Sequence, residues 1–578
     1  MSERVPVGGP SRQDAVALQT VRRYAVPRRM IEEATARRLA GDWRGACDSA
    51  AVDVLFDPED VAHRHGTGTA ALLADDLRHL APDLLRWHAP RLRGHSTLEP
   101  GRVVLLARYG PRGPGPAPAG PYLYARTPNT AQGPQRIRLC FGTVDTDAWR
   151  HARAEVPAEH WTAARFLWDA RHSAGLRASA AAGGPGDRLP FFAPDGRPLR
   201  TEELPAQDPG PADPVARAEW SAVLLSGGAR DEAWAAAGVD DHGDHGNGIG
   251  PACTPGWLLS WLPADVTRLV PEVIRLAAAG VADRFALHPW TGRYAVLEPV
   301  GDKVRMTTLT GSPDGLPDGV VMLPGYAWSR LPDPALVRAG LVPPRELHPL
   351  VAAALFPAAG PASGPPGPPP PAPVRVRCGR EWHEIGHRDG ALHLPHEDEP
   401  PTGDGTGCHA VRRTWTTDRG RLPRALQAQR QDLFLRAGHG DTHGVLALLD
   451  AGFDPRAHGA GGRSLLHVLH LLDHEPLLPR LLAAGLDPEA RDKLGRTPLL
   501  AAVHGGGSAD LVRALLAAGC RIDVVDDSGM SLAQMITRYR RTDLDFLAAR
   551  LAAECPGIGS RAWDWANERL VTHPTREG

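Results

Sequence analysis

Lysine is almost missing from this 578-residue chain, with Lys303 and Lys493 the only two. A Walker-type phosphate loop needs Gly-Lys followed by Ser or Thr. Here Val304 and Leu494 follow the lysines, so that route to nucleotide hydrolysis is excluded. No Gly-x-Ser-x-Gly elbow occurs either, which removes that serine-nucleophile signature. Gly66-Thr67-Gly68-Thr69-Ala70-Ala71 echoes a dinucleotide fingerprint but has no apolar strand before it, so it reads as a loop entering a helix at Leu72. The seven cysteines (47, 140, 253, 378, 408, 520 and 555) are scattered, odd in number and free of any Cys-x-x-Cys. They argue against a disulfide framework and fit a reducing cytosol. Met1–Gln13 lacks the apolar stretch of a signal peptide, and no run is long enough to span a membrane. A formal net charge of −2 gives no overall pull toward nucleic acid or an anionic membrane. The expectation is a cytoplasmic protein with neither nucleic acid nor membrane as partner.

What the chain does have is arginine, alanine, glycine and proline, the composition of a GC-rich bacterial coding sequence rather than a mark of function. Proline and glycine divide it into modules. Residues 1–19 read as a disordered N-terminus, 20–180 as an α+β module and 181–214 as a Pro/Gly-rich linker. A second α+β module covers 215–356, and the run Pro357–Pro373 reads as a polyproline spacer. In the first module Arg28–Ala51 contains two helical stretches joined at Gly41-Asp42, Leu72–Leu85 is amphipathic, and strands are expected at Arg102–Arg108, Tyr122–Arg126 and Arg136–Thr143. In the second, helices fall near Ala216–Leu225 and Val266–Ala279, and Gly301-Asp302 turns a hairpin between Arg293–Val300 and Lys303–Leu309. The arginine pairs at 22–23, 28–29 and 37–38 are interleaved with Glu32, Glu33 and Asp42, which makes a mixed-charge surface rather than a basic face.

Near the C-terminus two phrases recur in register. Gly462-Arg463-Ser464-Leu465-Leu466, Gly495-Arg496-Thr497-Pro498-Leu499 and Gly529-Met530-Ser531-Leu532 open units, while Leu448–Gly452, Leu481–Gly485 and Leu515–Gly519 close them. Both phrases advance by 33 and then 34 residues, from 462 to 495 to 529 and from 452 to 485 to 519. One period shared by two markers indicates a stacked array in which each unit buries its apolar face against its neighbours. Thr497 can cap the first helix, Pro498 suits the first helical position, and Gly519 sits where a left-handed residue would end the second helix. The period, the Gly-x-Thr-Pro-Leu opening and His467 resemble the ankyrin repeat, although Leu500 and Gln534 depart from it at the histidine position. Four units over 430–555, with atypical end units, and a tail at 556–578 complete the reading.

The resemblance implies an all-α solenoid that binds a protein partner through its loop tips, without enzymatic activity or a cofactor of its own. The tips carry Arg456, Glu489, Arg491, Asp492, Arg521, Asp523 and Asp527, a mixed-charge strip suited to electrostatic selection. The whole is a multidomain chain: α+β modules, a Pro-rich linker, a small β-rich segment at 374–429, and a C-terminal all-α ankyrin-like array.

One stretch competes with that account. His383-Glu384-Ile385-Gly386-His387-Arg388-Asp389-Gly390-Ala391-Leu392-His393 matches H-E-x-x-H-x-x-G-x-x-H, the zinc signature of metzincin peptidases. That resemblance implies zinc on His383, His387 and His393 with Glu384 as catalytic base. Its surroundings favour a β-meander instead. Val374-Arg375-Val376-Arg377 alternates as a strand, Arg388-Asp389-Gly390 suits a hairpin turn, and the first methionine after His393 is Met530, inside the repeats. A third reading draws a structural zinc site from Cys378, His383, His387, Cys408 and His409. The run Asp240-Asp241-His242-Gly243-Asp244-His245 reads as a solvated loop.

Overall fold

The computed structural model describes residues 7–92, 94–110, 120–144, 159–181, 183, 186–241, 264–287, 293–310, 316, 319–395, 407–417 and 419–572. Residues 242–245 of the histidine-rich run, and 111–119 of the first proline-rich loop, lie outside them. The chain separates into two compact units, one of residues 1–128 and 136–366, the other of 129–135 and 367–578. The division at 366/367 falls inside the polyproline run.

The first unit contains one topology twice. β1 (Val52–Val54), β2 (Val103–Arg108), β3 (Tyr122–Arg126), β4 (Ile137–Gly142) and β5 (Glu159–His160) form a sheet in the order β1-β4-β3-β2-β5. β6 (Val239–Asp241), β7 (Arg284–Leu287), β8 (Arg293–Val300), β9 (Lys303–Thr310) and β10 (Val320–Met322) form a second in the order β10-β7-β8-β9-β6. Each has an antiparallel three-strand meander flanked by a short parallel strand on both edges. Each is preceded by a helical hairpin, Arg28–Leu39 with Trp43–Ser49 and Pro214–Ser226 with Arg230–Ala236. The backbone repeats in detail. Gly41 and Gly228 turn the hairpins with φ of 81° and 87°, and Ala51 and Gly238 enter the edge strands with φ of 54° and 89°. Both pairs are 187 residues apart, from 41 to 228 and from 51 to 238. Ile137 N–H donates to Ala51 C=O at 3.1 Å, as Val304 N–H does to Gly238 C=O at 2.9 Å.

Apolar strands explain each core. Leu106, Leu123 and Leu139 of the first sheet pack with Leu77, Leu84, Trp87 and Trp168, and Phe285, Leu297 and Met306 of the second with Trp234, Val270 and Val273. The residues expected as a linker at 181–214 are partly interior, since Leu189 and Phe192 lie in the first core and Phe192 stacks edge-on against Phe356 at 5.3 Å. Apolar side chains spaced through that Pro/Gly-rich stretch hold it down where composition alone suggested a free segment. The N-terminus is likewise structured from Arg12, in a helix Arg12–Tyr24 that Ser11 caps and that buries Val21 and Tyr24. Arg22 from that helix meets Asp333 at 2.6 Å with both side chains buried. Paired in this way, its charge is not part of an exposed basic face.

The second unit opens with an antiparallel meander of β11 (Val374–Cys378), β12 (Glu381–Arg388) and β13 (Ala391–His393). Helix Gly407–Thr417 follows, and then helices pair along the chain: 424–438 with 442–450, 465–471 with 474–483, 498–504 with 509–517, and 532–538 with 545–554. The segment 465–471 is a tighter 3₁₀ helix. Thr497 Oγ1 accepts from Leu500 N–H and Pro498 takes the first helical position. Gly452, Gly485 and Gly519 follow their helices with φ of 83°, 81° and 91°, a conformation that costs glycine nothing. One apolar cluster runs from Val374 to Leu551. Beyond it the expected tail forms a helix, Arg561–Thr572, anchored by Asn567 Nδ2–H donating to Gln534 C=O at 3.1 Å. Among the described residues no helix is long and apolar enough to cross a membrane.

Candidate functional site

The loops between helix pairs are tied to one another in sequence order. His467 Nε2–H donates to Arg496 C=O at 3.0 Å, Lys493 N–H to Gly461 C=O at 2.8 Å, and Asp527 N–H to Leu494 C=O at 2.9 Å. Several residues expected to bind a partner are occupied in this stitching. Asp492 is 6% exposed and accepts from Leu494 N–H, Arg496 N–H and the Arg496 guanidinium. Burial opposes its charge, but those donors outweigh burial and hold its carboxyl below the usual range. Asp492 therefore builds its turn. Arg491 Nη1–H donates to Gly495 C=O at 3.0 Å and to Val525 C=O at 3.1 Å, joining one loop to the next. Arg456 pairs with Asp454 at 2.9 Å, and the buried Asp454 also accepts from Leu392 N–H. Glu489 is half-buried and accepts from Arg521 N–H at 2.8 Å. Asp527 is exposed, with its side chain against Gly495. The Arg521–Asp523 pair, 2.7 Å apart, stands out in solvent with side chains 63% and 43% exposed.

The peptidase signature lies on strands. His383, Glu384 and His387 are all on β12 and His393 is on β13, so the helix that would present two histidines one turn apart is not formed. The reason is local. Asp389 and Gly390 take φ of 50° and 73°, a turn that pairs β12 with β13, and Val374 and Val376 pair with Ile385 and His383. Glu384 is an exposed residue opposite Arg375, and strand alternation directs it to the other face from His383. His387 is a core histidine. Its ring stacks on Phe453 at 4.3 Å, its Nδ1 accepts from Asp454 N–H at 3.2 Å, and its Nε2 bonds Gln429 Oε1 at 3.1 Å. Burial pushes its pKa down and keeps it neutral, and both ring nitrogens are used.

A different set does converge. Cys378, His383 and Cys408 place their ligand atoms within 4.8 Å of one another, the one such group of three among the described residues. Val374, Val376 and Cys378 alternate onto one face of the hairpin, which His383 and Ile385 share from β12. Helix Gly407–Thr417 covers that face with Cys408, Val411 and Trp415 buried at helical spacing. Cys408 Sγ lies 3.6 Å from His383 Nδ1, and His383 Nε2 lies 3.3 Å from Glu381 Oε2. The sequence reading brought together Cys378, His383 and Cys408 and added His387 and His409; the structure assigns His387 to the core, and His409 is not in the converging group. Glu381 escaped that reading, because an acceptor two residues along a strand has no spacing signature.

No family model matches the chain. Protein PhlB of Serratia liquefaciens is 36% identical over 158 residues, which are 27% of this chain and 67% of that protein. Over that stretch the chain belongs to the family of PhlB. The name PhlB carries no activity, so the kinship leaves the chemistry to be argued from the residues.

Proposed function

We propose that the C-terminal helix pairs are an ankyrin-like array and that this array binds a protein partner through its loop tips. The observation that carries the reading is the coincidence of the 33- and 34-residue sequence period with loops that hydrogen-bond to their successors, as Arg491 does to Val525 and His467 to Arg496. A stack of this kind presents an extended, rigid strip of loop ends, and rigid strips bind with little ordering cost. Within it the solvent-facing Arg521–Asp523 pair, not the turn-building Asp492, is placed to meet a partner. Binding would then depend on charge complementarity more than on apolar contact.

The test exchanges the charges. Arg521→Asp with Asp523→Arg keeps an ion pair within the loop but inverts the pattern offered to a partner. Capture from lysate of the native host, compared between wild type and the exchanged variant at equal melting temperature, should lose specific partners in the variant. Identical partner sets would remove this strip as the binding surface. Arg491→Glu is a poorer probe, because it breaks two bonds to main-chain carbonyls and is expected to lower the melting temperature by itself.

A further inference from the structure

We propose that Cys378, His383 and Cys408 hold a zinc ion that fastens the β11–β12 hairpin to helix Gly407–Thr417. Two sulfurs and an imidazole are a donor set for a borderline-soft divalent ion, and their convergence within 4.8 Å suits a single ion ligated by all three. The imidazole is already aimed. An N–H at Nε2 directed to the Glu381 carboxylate, 3.3 Å away, leaves the Nδ1 lone pair facing Cys408 Sγ. A carboxylate behind a ligating histidine is the arrangement that fixes its tautomer and raises its basicity.

The backbone makes room for the sulfurs. Gly407 has a φ of 82°, and a Cβ built on it would lie 2.5 Å from Cys378 Sγ, so only glycine lets the two segments approach this closely. On binding, each thiol releases its proton to solvent as its sulfur joins the metal. The ion would join Cys378 at the end of β11 and His383 of β12 to Cys408 on the helix, and its role is structural. This site is independent of the partner-binding reading and shares only His383 with the peptidase signature.

The experiment uses the full-length chain, free of any histidine tag and purified with a non-chelating reductant. Elemental analysis should find about one zinc per chain, and cobalt replacing it should give the sulfur-to-metal charge-transfer and visible bands of a tetrahedral thiolate site. Cys378→Ser, Cys408→Ser and His383→Ala should each lose the zinc and the bands, whereas His393→Ala should keep both. Wild-type protein with neither zinc nor cobalt bands would overturn the proposal, a result that does not depend on how the variants fold. Loss of zinc in His393→Ala with retention in Cys378→Ser would overturn it too, by moving the metal to the other histidines. Chelation of the wild type should lower its melting temperature, and an unchanged value would refute the fastening role.

Discussion

Replacing His467 tests whether successive repeat loops are held together by a neutral buried imidazole. His467 and Ser464 are 1% and 3% exposed. The ring accepts from Ser464 N–H at 3.2 Å on Nδ1 and donates to Arg496 C=O at 3.0 Å from Nε2. In His467→Ala the Ser464 N–H loses that side-chain acceptor, which costs about 1–3 kcal/mol for a buried donor left unpaired. Arg496 C=O keeps its bond from Asp492 N–H, so its loss is one ordinary hydrogen bond of about 1 kcal/mol. Together with the emptied ring volume, the expected cost is about 3 kcal/mol. The unit after next supplies the control, since the one between carries Leu500 at this position. There Gln534 Oε1 accepts from Ser531 N–H at 3.1 Å and Gln534 Nε2–H donates onward to Ser560 C=O at 3.0 Å. A glutamine can therefore serve both ends, and His467→Gln should stay within about 1 kcal/mol of wild type. Urea unfolding, with hydrogen exchange of peptides covering 464–517, reads both variants. Equal losses for alanine and glutamine would show that ring packing, not the ring's hydrogen bonds, holds the loops.

Two further outcomes follow from the same geometry. Ala51 takes a left-handed φ of 54° where Gly238 takes 89° in the second module, so Ala51→Gly should raise stability by about 0.5–1 kcal/mol, the left-handed cost less glycine's extra chain entropy; an unchanged or lower thermal midpoint would count against equivalence of the two positions. Burial depresses the pKa of His387 and of His467, so the unfolded chain, titrating near 6.5, binds more protons than the folded one; stability is full above that pH and falls as pH drops through it. Denaturation midpoints at a series of pH values should show this fall, and a smaller slope in His467→Gln, with an equal slope refuting the buried-neutral assignment.

Local rules made much of the second unit legible. Thr497, Pro498 and Gly519 each act through the chain immediately around them, and the structure places them as cap, first helical residue and left-handed terminator. The strands around Leu105, Tyr124 and Leu139 were equally plain, because short apolar runs between Gly and Pro leave few alternatives. The histidine motif taken alone points to a helix, whereas its surroundings favour the meander that forms. A metal signature is a spacing in sequence, and the same four-residue spacing joins His383 to His387 on a helix or on one face of a strand. What decides between them is pairing with Val374 and Val376 and the turn at Asp389-Gly390, which were visible, and the seat of His387 against Phe453, which depends on a residue far along the chain. Asp492 is similar: nothing in the polar loop sequence shows that three donors converge on its carboxylate.

The duplication in the first unit shows how completely a repeat can hide when its backbone and not its side chains is repeated. The edge strands begin at Val52 and Val239, and their lead-in residues are Ala51 and Gly238, a pair sharing no side-chain chemistry. The helical hairpins carry Ala46 and Ala233 inward, but the residues beside them are Gly45 and Cys47 in one copy and Glu232 and Trp234 in the other. Small and large side chains have been redistributed while the backbone hydrogen bonds stayed, Trp161 N–H to Leu105 C=O in one copy and Leu323 N–H to Ala286 C=O in the other, both at 2.8 Å. Cores tolerate such exchange provided volume and pattern are kept, whereas strand order and register cannot drift without turning whole faces outward. The C-terminal phrases lie at the other extreme, recurring in the residues themselves at 33 and then 34 positions. A module that packs its own sheet thus retains its topology while its residues drift, and such a repeat leaves no recurring phrase in the sequence.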